Sequence, residues 1–457
     1  MGTLTVDSAT GIITQITFDS QQTNATATDS STSVGGDDDD QIIVDTVDCR
    51  GMILSPGFID LQLNGAYGVD FSNGDDSGEE RGGDDDGEGS DNGLCTEDIM
   101  RVANSLCQTG CTSFCPTMVS SSCQTYRRVL PLMRRARKQQ HQQRQLQLRQ
   151  GVVTDNRTKI GASILGMHLE GPFFDPAKRG AHDERHILAP SQGIDTVREV
   201  YGLTREGQNV DNESSPILKD IDIITLAPEL DGGLKATKSL TSSSVVVSCG
   251  HTGATYEQGI EAITHGATLL THLFNAMNPF HHRKPGLVGL LSSETKLANL
   301  GFQRPFYSLI VDGIHVHESA VCMAYSSHPE GCVLVTDAMS AMGLGDGKFD
   351  LGNMSVTIRG DRATLTGTET LAGSVVSMDK CVRRFQKFTG CTVGEALLCA
   401  TLHPANVLNR GVIREENSSP IGVLEVGCRA DLTLVTDQVE VVATWVHGRL
   451  AYDGLKI

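Results

Sequence analysis

Four residues of this chain have types suited to binding a divalent metal or moving a proton: Glu170, His251, His272 and Asp337. Two imidazoles and a carboxylate make a sound ligand set for a zinc-type ion and leave one position for water. A further carboxylate beside that water can serve as its general base, because metal-bound water needs only a modest proton acceptor. Each residue also has a plain structural explanation. A strand-end histidine is commonly just hydrogen-bonded, and Asp337, with Ser340 and Gly343 close behind, could cap a helix or a turn.

What joins the four is where they fall. Short apolar runs at Met52–Leu63, Thr112–Met118, Ala162–Glu170, Ile221–Ala227, Val245–His251, Ala267–Leu273, Phe306–Val311 and Gly331–Asp337 read as strands. Helical patterns follow most of them, such as Thr96–Gln108 and Thr255–Thr264. Eight strands alternating with helices predict an α/β chain folded as a (β/α)8 TIM-like barrel. An open doubly wound sheet is the alternative, but no GxGxxG turn follows the first strand. In a barrel the C-terminal strand ends meet at one mouth, and the four residues end, or nearly end, the third, fifth, sixth and eighth runs.

Alternating strands at Ile42–Ile53 and Gly422–Ala451 suggest that both chain ends pair into a small β-sandwich. The expected division is 1–55 and 405–457 for that domain and 56–404 for the barrel. Residues 20–40, 72–93 and 134–157 read as inserts: Ser/Thr/Asp-rich, Gly/Asp/Glu-rich and Gln/Arg-rich. The first is expected to be disordered, and the third to extend a helix from Cys123 before losing order. Asp37–Asp40 and the acidic insert carry −12 of the formal charge of −19, leaving about −7 for the rest. No broad basic face is present, which argues against nucleic acid. Thirteen cysteines without a CxxC pair suit reduced thiols, and Cys107, Cys111 and Cys115 read as buried apolar residues rather than ligands. With no secretory pattern and no apolar run of membrane length, the cytoplasm is the expected compartment.

The first strand supplies a negative signal. Metal amidohydrolases often carry His-x-His there, and those positions read here as Asp60 and Gln62. Glutamine is a poor zinc ligand, and no lysine ends a barrel strand to bridge two ions, so the site is expected to hold one metal.

The motifs PGFIDLQLNG (56–65), HLEGPF (168–173), KRGAH (178–182), GHTGAT (250–255), THLFNAM (271–277), DGIHVH (312–317), VTDAM (335–339) and LAGS (371–374) resemble those of N-acetylglucosamine-6-phosphate deacetylases of the amidohydrolase superfamily. The resemblance implies hydrolysis of the acetyl group of N-acetylglucosamine 6-phosphate, in amino-sugar catabolism or recycling. It makes Glu170, His251 and His272 the ligands of one divalent ion per subunit, zinc by preference, and Asp337 the acid/base. His182 would polarise the acetyl carbonyl. Ala181, Asn275, Ala276 and Leu371, Ala372 and Gly373 would meet the sugar. Arg283 and His315 would hold the 6-phosphate, the arginine reaching in from the second subunit of a homodimer. His168 reads as an inner-barrel residue, sharing a strand face with Glu170. In the family a strand pair usually precedes the segment equivalent to Leu4–Ile16, so either the start of this chain is shortened or its small domain is incomplete. The rival readings are an amidohydrolase for a cyclic amide or nucleobase, which has no need of Arg283, and a scaffold that binds no metal.

Overall fold

The computed structural model describes residues 2–18, 46–73, 93–149, 160–203, 218–411 and 419–454. Eight parallel barrel strands run in sequential order: β1 (Phe58–Leu63), β2 (Cys111–Met118), β3 (Met167–Glu170), β4 (Ile221–Leu226), β5 (Val246–Cys249), β6 (Leu269–Leu270), β7 (Phe306–Ile310) and β8 (Cys332–Val335). A short strand, Ser163–Ile164, also pairs with β2. β1 and β2 are buried at every position, as expected of parallel strands covered on both faces. The ring closes where Asp337 N donates to Gln62 O at 2.9 Å and Asn64 N to Ala338 O at 2.8 Å. Closure therefore sets the end of β1 against the end of β8.

Helices follow the strands and fix the loops between. After β5, Tyr256–Thr264 starts with a capping box: Thr255 Oγ1 accepts from Gln258 N at 3.3 Å, and Gln258 Oε1 from Thr255 N at 2.9 Å. Inside the barrel, His168 Nδ1 donates to Leu61 O at 2.8 Å and its Nε2 accepts from Thr225 Oγ1 at 2.8 Å. His168 is thus an inner-barrel residue.

The run Met52–Leu63 divides at Gly57. Its first part, Ile53–Pro56, joins Leu432–Val435, Val441–Val446 and Arg449–Asp453 in an antiparallel sheet beside the barrel. Thr433 Oγ1 and Thr444 Oγ1 tie that sheet to Gly110 O (2.9 Å) and Cys107 O (2.8 Å). A hairpin of Gly2–Asp7 and Ile12–Phe18 docks on it through Ile13 N and Cys428 O at 2.9 Å. Cys107, Cys111 and Cys115 are buried with free thiols.

The Gln/Arg-rich segment extends the helix from Cys123 as expected, to Arg149. Two features depart from expectation, the first being that part of this helix is not a solvated expansion. Gln140 is buried, donating to Ala162 O at 2.8 Å and accepting from Ile164 N at 2.9 Å. Arg144 reaches Gly161 O at 3.1 Å and His447 Nε2 at 3.2 Å. The remainder of that segment, the 20–40 tract and nearly all of the acidic insert lie outside the described residues. The second is a three-stranded antiparallel sheet, Gly347–Leu351, Met354–Arg359 and Arg362–Leu365, over the barrel mouth. It follows Asp337, where the apolar runs of the sequence gave no strands.

Candidate active site

At the mouth, the backbone bends sharply to deliver the polar residues. His251 (φ +49°), His272 (φ +30°) and Asp337 (φ +47°) all adopt the left-handed region that non-glycine residues avoid. Each such residue costs on the order of 1–3 kcal/mol and persists only where surrounding packing enforces it. Three at one mouth mark a functional constraint.

Glu170 Oε1 lies 3.3 Å from His251 Nε2 and 3.1 Å from His272 Nε2, and the two Nε2 atoms are 3.1 Å apart. Ligand atoms around a tetrahedral zinc sit about 3.3 Å from one another, so this triangle has the size of one face of such a site. His251 Nδ1 donates to Lys178 O at 2.9 Å, leaving a lone pair on Nε2 aimed inward, the tautomer a metal ligand needs. Phe174 stacks on that ring at 4.2 Å. Glu170 is held well below the usual carboxylate range: burial opposes its charge, and the contacts with His251 and His272 outweigh the burial.

A looser group, Glu170, His182 and His251, also brings its donor atoms within 4.8 Å. The hydrogen bonds of His182 argue against that ligand set. Ser120 N donates to His182 Nδ1 at 3.1 Å, so the neutral ring carries its proton on Nε2. Burial, then the nearby His251, push the imidazolium down to about 3, which keeps the ring neutral. His182 therefore presents an N–H donor.

Asp337 is pushed up to about 7 by burial and then by the charge of Glu170. Its Oδ1 accepts from Gln62 Nε2 at 3.1 Å and Asn64 Nδ2 at 2.7 Å, while Gln62 Nε2 is also 2.8 Å from Glu170 Oε1. This corrects the register read from the sequence. Asp60 lies one step further down β1 and accepts from Thr336 Oγ1 at 2.5 Å, so the pair facing the site is Gln62 and Asn64. Asn64 was missed for that reason; the period-two alternation from Gln62 could have found it.

Ala181, Asn275, Ala276, His315, Leu371 and Gly373 line the same cavity as the acid, base and imidazoles. Ala372 does not: its side chain packs under the three-stranded sheet, because it alternates with its two neighbours. Arg283 is exposed in the His281–Lys284 turn and lines no part of this cavity. His315 Nδ1 donates to Asp312 Oδ2 at 2.6 Å. A larger cleft of about 370 Å³ between Pro228–Lys235 and Glu261 contains no histidine or cysteine, so volume does not locate the chemistry.

The amidohydrolase family profile matches residues 53–451. The chain belongs to the amidohydrolase family. Among amidohydrolases it is 40% identical over 404 residues to N-acetylglucosamine-6-phosphate deacetylase of Danio rerio, covering 88% of this chain and 85% of that one. The Homo sapiens protein of the same name is 39% identical over 410 residues, covering 89% and 85%. The deacetylase structure from Mycobacterium smegmatis in complex with N-acetyl-D-glucosamine-6-phosphate superposes with a TM-score of 0.65 at 28% identity, over 87% of this chain and 86% of that one. That from Thermotoga maritima gives 0.67 at 25%, over 98% and 94%. The family is metal-dependent, and the buried donors described above fit a metal. No helix among the described residues is long and apolar enough to cross a membrane.

Proposed function

We propose that the chain hydrolyses N-acetyl-D-glucosamine 6-phosphate to D-glucosamine 6-phosphate and acetate. The carrying observation is the meeting of Glu170, His251 and His272 with a neutral donor, His182, and a raised carboxyl, Asp337, in one cavity. The relatives' shared name supplies the substrate.

One divalent ion, zinc by its donor set, would be held by Glu170, His251 and His272. Bound there, it supplies Lewis acidity toward the acyl oxygen and acidifies water. The chain's own residues do the rest. Asp337 takes a proton from the attacking water and returns it to the departing amine. His182 Nε2–H donates to the acyl oxygen as negative charge develops there. Gln62 and Asn64 hold the Asp337 carboxylate in place throughout. His315, with Nδ1 committed to Asp312, directs Nε2 at the 6-phosphate, and Arg283 adds a charged fork from a second copy of the chain in a homodimer.

The test is acetate release from the phosphorylated and unphosphorylated acetyl sugars, before and after chelation. Turnover of the phosphate ester that chelation abolishes and zinc restores is expected. Equal turnover of both sugars would remove the phosphate assignment, and preference for a cyclic amide would replace the reading.

A further inference from the structure

The three-stranded sheet over the mouth is not used by the chemistry above, yet the tip of its first hairpin enters the site. Leu351 and Met354 flank a two-residue turn, Gly352-Asn353, and both line the cavity. From this placement we propose that Leu351 and Met354, with Val119, form the wall against which the acyl group of the substrate lies, and so set the length of acyl chain that is removed. The proposal rests on the amide hydrolysis proposed above and deepens it.

The wall is located by His182, the donor to the acyl oxygen. Val119 immediately precedes Ser120, whose N–H fixes the His182 ring at 3.1 Å, and Ala181 immediately precedes His182 itself. Val119 and Ala181 pack in one apolar cluster with Leu351 and Met354. An acyl group whose oxygen faces His182 and whose nitrogen faces Asp337 therefore has this apolar corner beside it for its methyl. The other apolar lining residues, Ala276, Ile310 and Leu371, lie on the segments that carry Asn275, His315 and Gly373, the side assigned to sugar and phosphate.

The wall is also fixed. The Gly352 N–H donates to Asp70 Oδ2, and the other oxygen of Asp70 accepts from Ser72 N at 2.8 Å. Ser340 Oγ donates to Asp350 O at 2.7 Å. Gly352 has φ +56°, and a Cβ there would come 3.3 Å from Val119 Cγ2, so a larger residue at the tip would crowd Val119. A wall pinned at its tip cannot retreat to admit another methylene. Discrimination against one extra methylene in such a pocket is about 10- to 200-fold.

The experiment compares hydrolysis of the N-acetyl, N-propionyl and N-butyryl forms of glucosamine 6-phosphate by the metal-loaded enzyme and by Met354→Ala. The propionyl-to-acetyl ratio of kcat/KM is expected to rise about tenfold in Met354→Ala. Met354→Phe should lower the ratio further and slow acetyl removal as well. If Met354→Ala melts like the parent, still turns over, and leaves the ratio within twofold, the wall assignment is overturned. If the parent hydrolyses none of the three, the functional reading itself fails, an outcome distinct from a misplaced wall.

Discussion

Ser120 donates its backbone N–H to Nδ1 of His182 at 3.1 Å, and this bond decides what the histidine can do. An imidazole whose Nδ1 accepts carries its proton on Nε2, and there it is a donor rather than a ligand. His182→Ala is therefore expected to keep its full metal content while kcat falls about 100- to 1000-fold, the usual effect of removing one oxyanion donor. Elemental analysis beside steady-state kinetics makes the check. Loss of the ion in that variant would make His182 a ligand.

Asp337 must be ionised to accept a proton, and burial beside Glu170 pushes its carboxyl up to about 7. A bound cation nearby stabilises the carboxylate and draws that value down. The acid limb of kcat/KM is thus expected below pH 7, activity falling with a one-proton slope as pH drops. Asp337→Asn should lose at least about 1000-fold in kcat and still bind metal. An acid limb that persists unchanged in the residual activity of Asp337→Asn would show that another group takes the proton.

How much of this was legible in the sequence follows from the physics of each element. The barrel strands announced themselves because strands covered on both faces are near-continuous apolar runs, as in Ile221–Leu226. Strand six shrank to Leu269–Leu270, since the chain leaves the ladder early to place His272 at φ +30°. The carboxylates and imidazoles at the barrel mouth were visible because polar residues at the ends of such runs are conspicuous. Asn64 was harder: alternation from Gln62 marks its face of β1, but only the pairing of β1 with β8 shows which two residues of that face meet Asp337. The sheet over the mouth was invisible for a related reason: its buried residues, such as Val356 and Ile358, alternate with exposed ones over very short strands.

The Gln/Arg-rich helix shows composition misleading in the other direction. Arg144 is half-buried; its desolvation draws the guanidinium down to about 10, and it bridges Gly161 O and His447. Hydrogen bonds from a charged group into the interior contribute roughly 1.5–3 kcal/mol each. Arg144→Ala should therefore lower the unfolding free energy by about 2–3 kcal/mol in a denaturant titration, where a solvated loop residue would change it by less than about 0.5. A neutral result would return this segment to the surface.

Asp70 offers a stability test independent of catalysis. Burial pushes its carboxyl up to about 7, while its oxygens accept from Ser72 N and Gly352 N at the hairpin tip. The unfolded chain ionises this group near 3.8, so the fold favours the protonated form. Its favourable contribution is complete below about pH 4 and is lost as pH rises toward 7, at most about 4 kcal/mol for a shift of roughly three units. Asp431 and Asp312, whose values are lowered, slope the opposite way, so the informative quantity is a difference. The melting temperature of the parent minus that of Asp70→Asn should shrink from pH 4 to pH 7 and level off above. A constant difference across that range would show that Asp70 stays ionised and that its two backbone donors outweigh its burial.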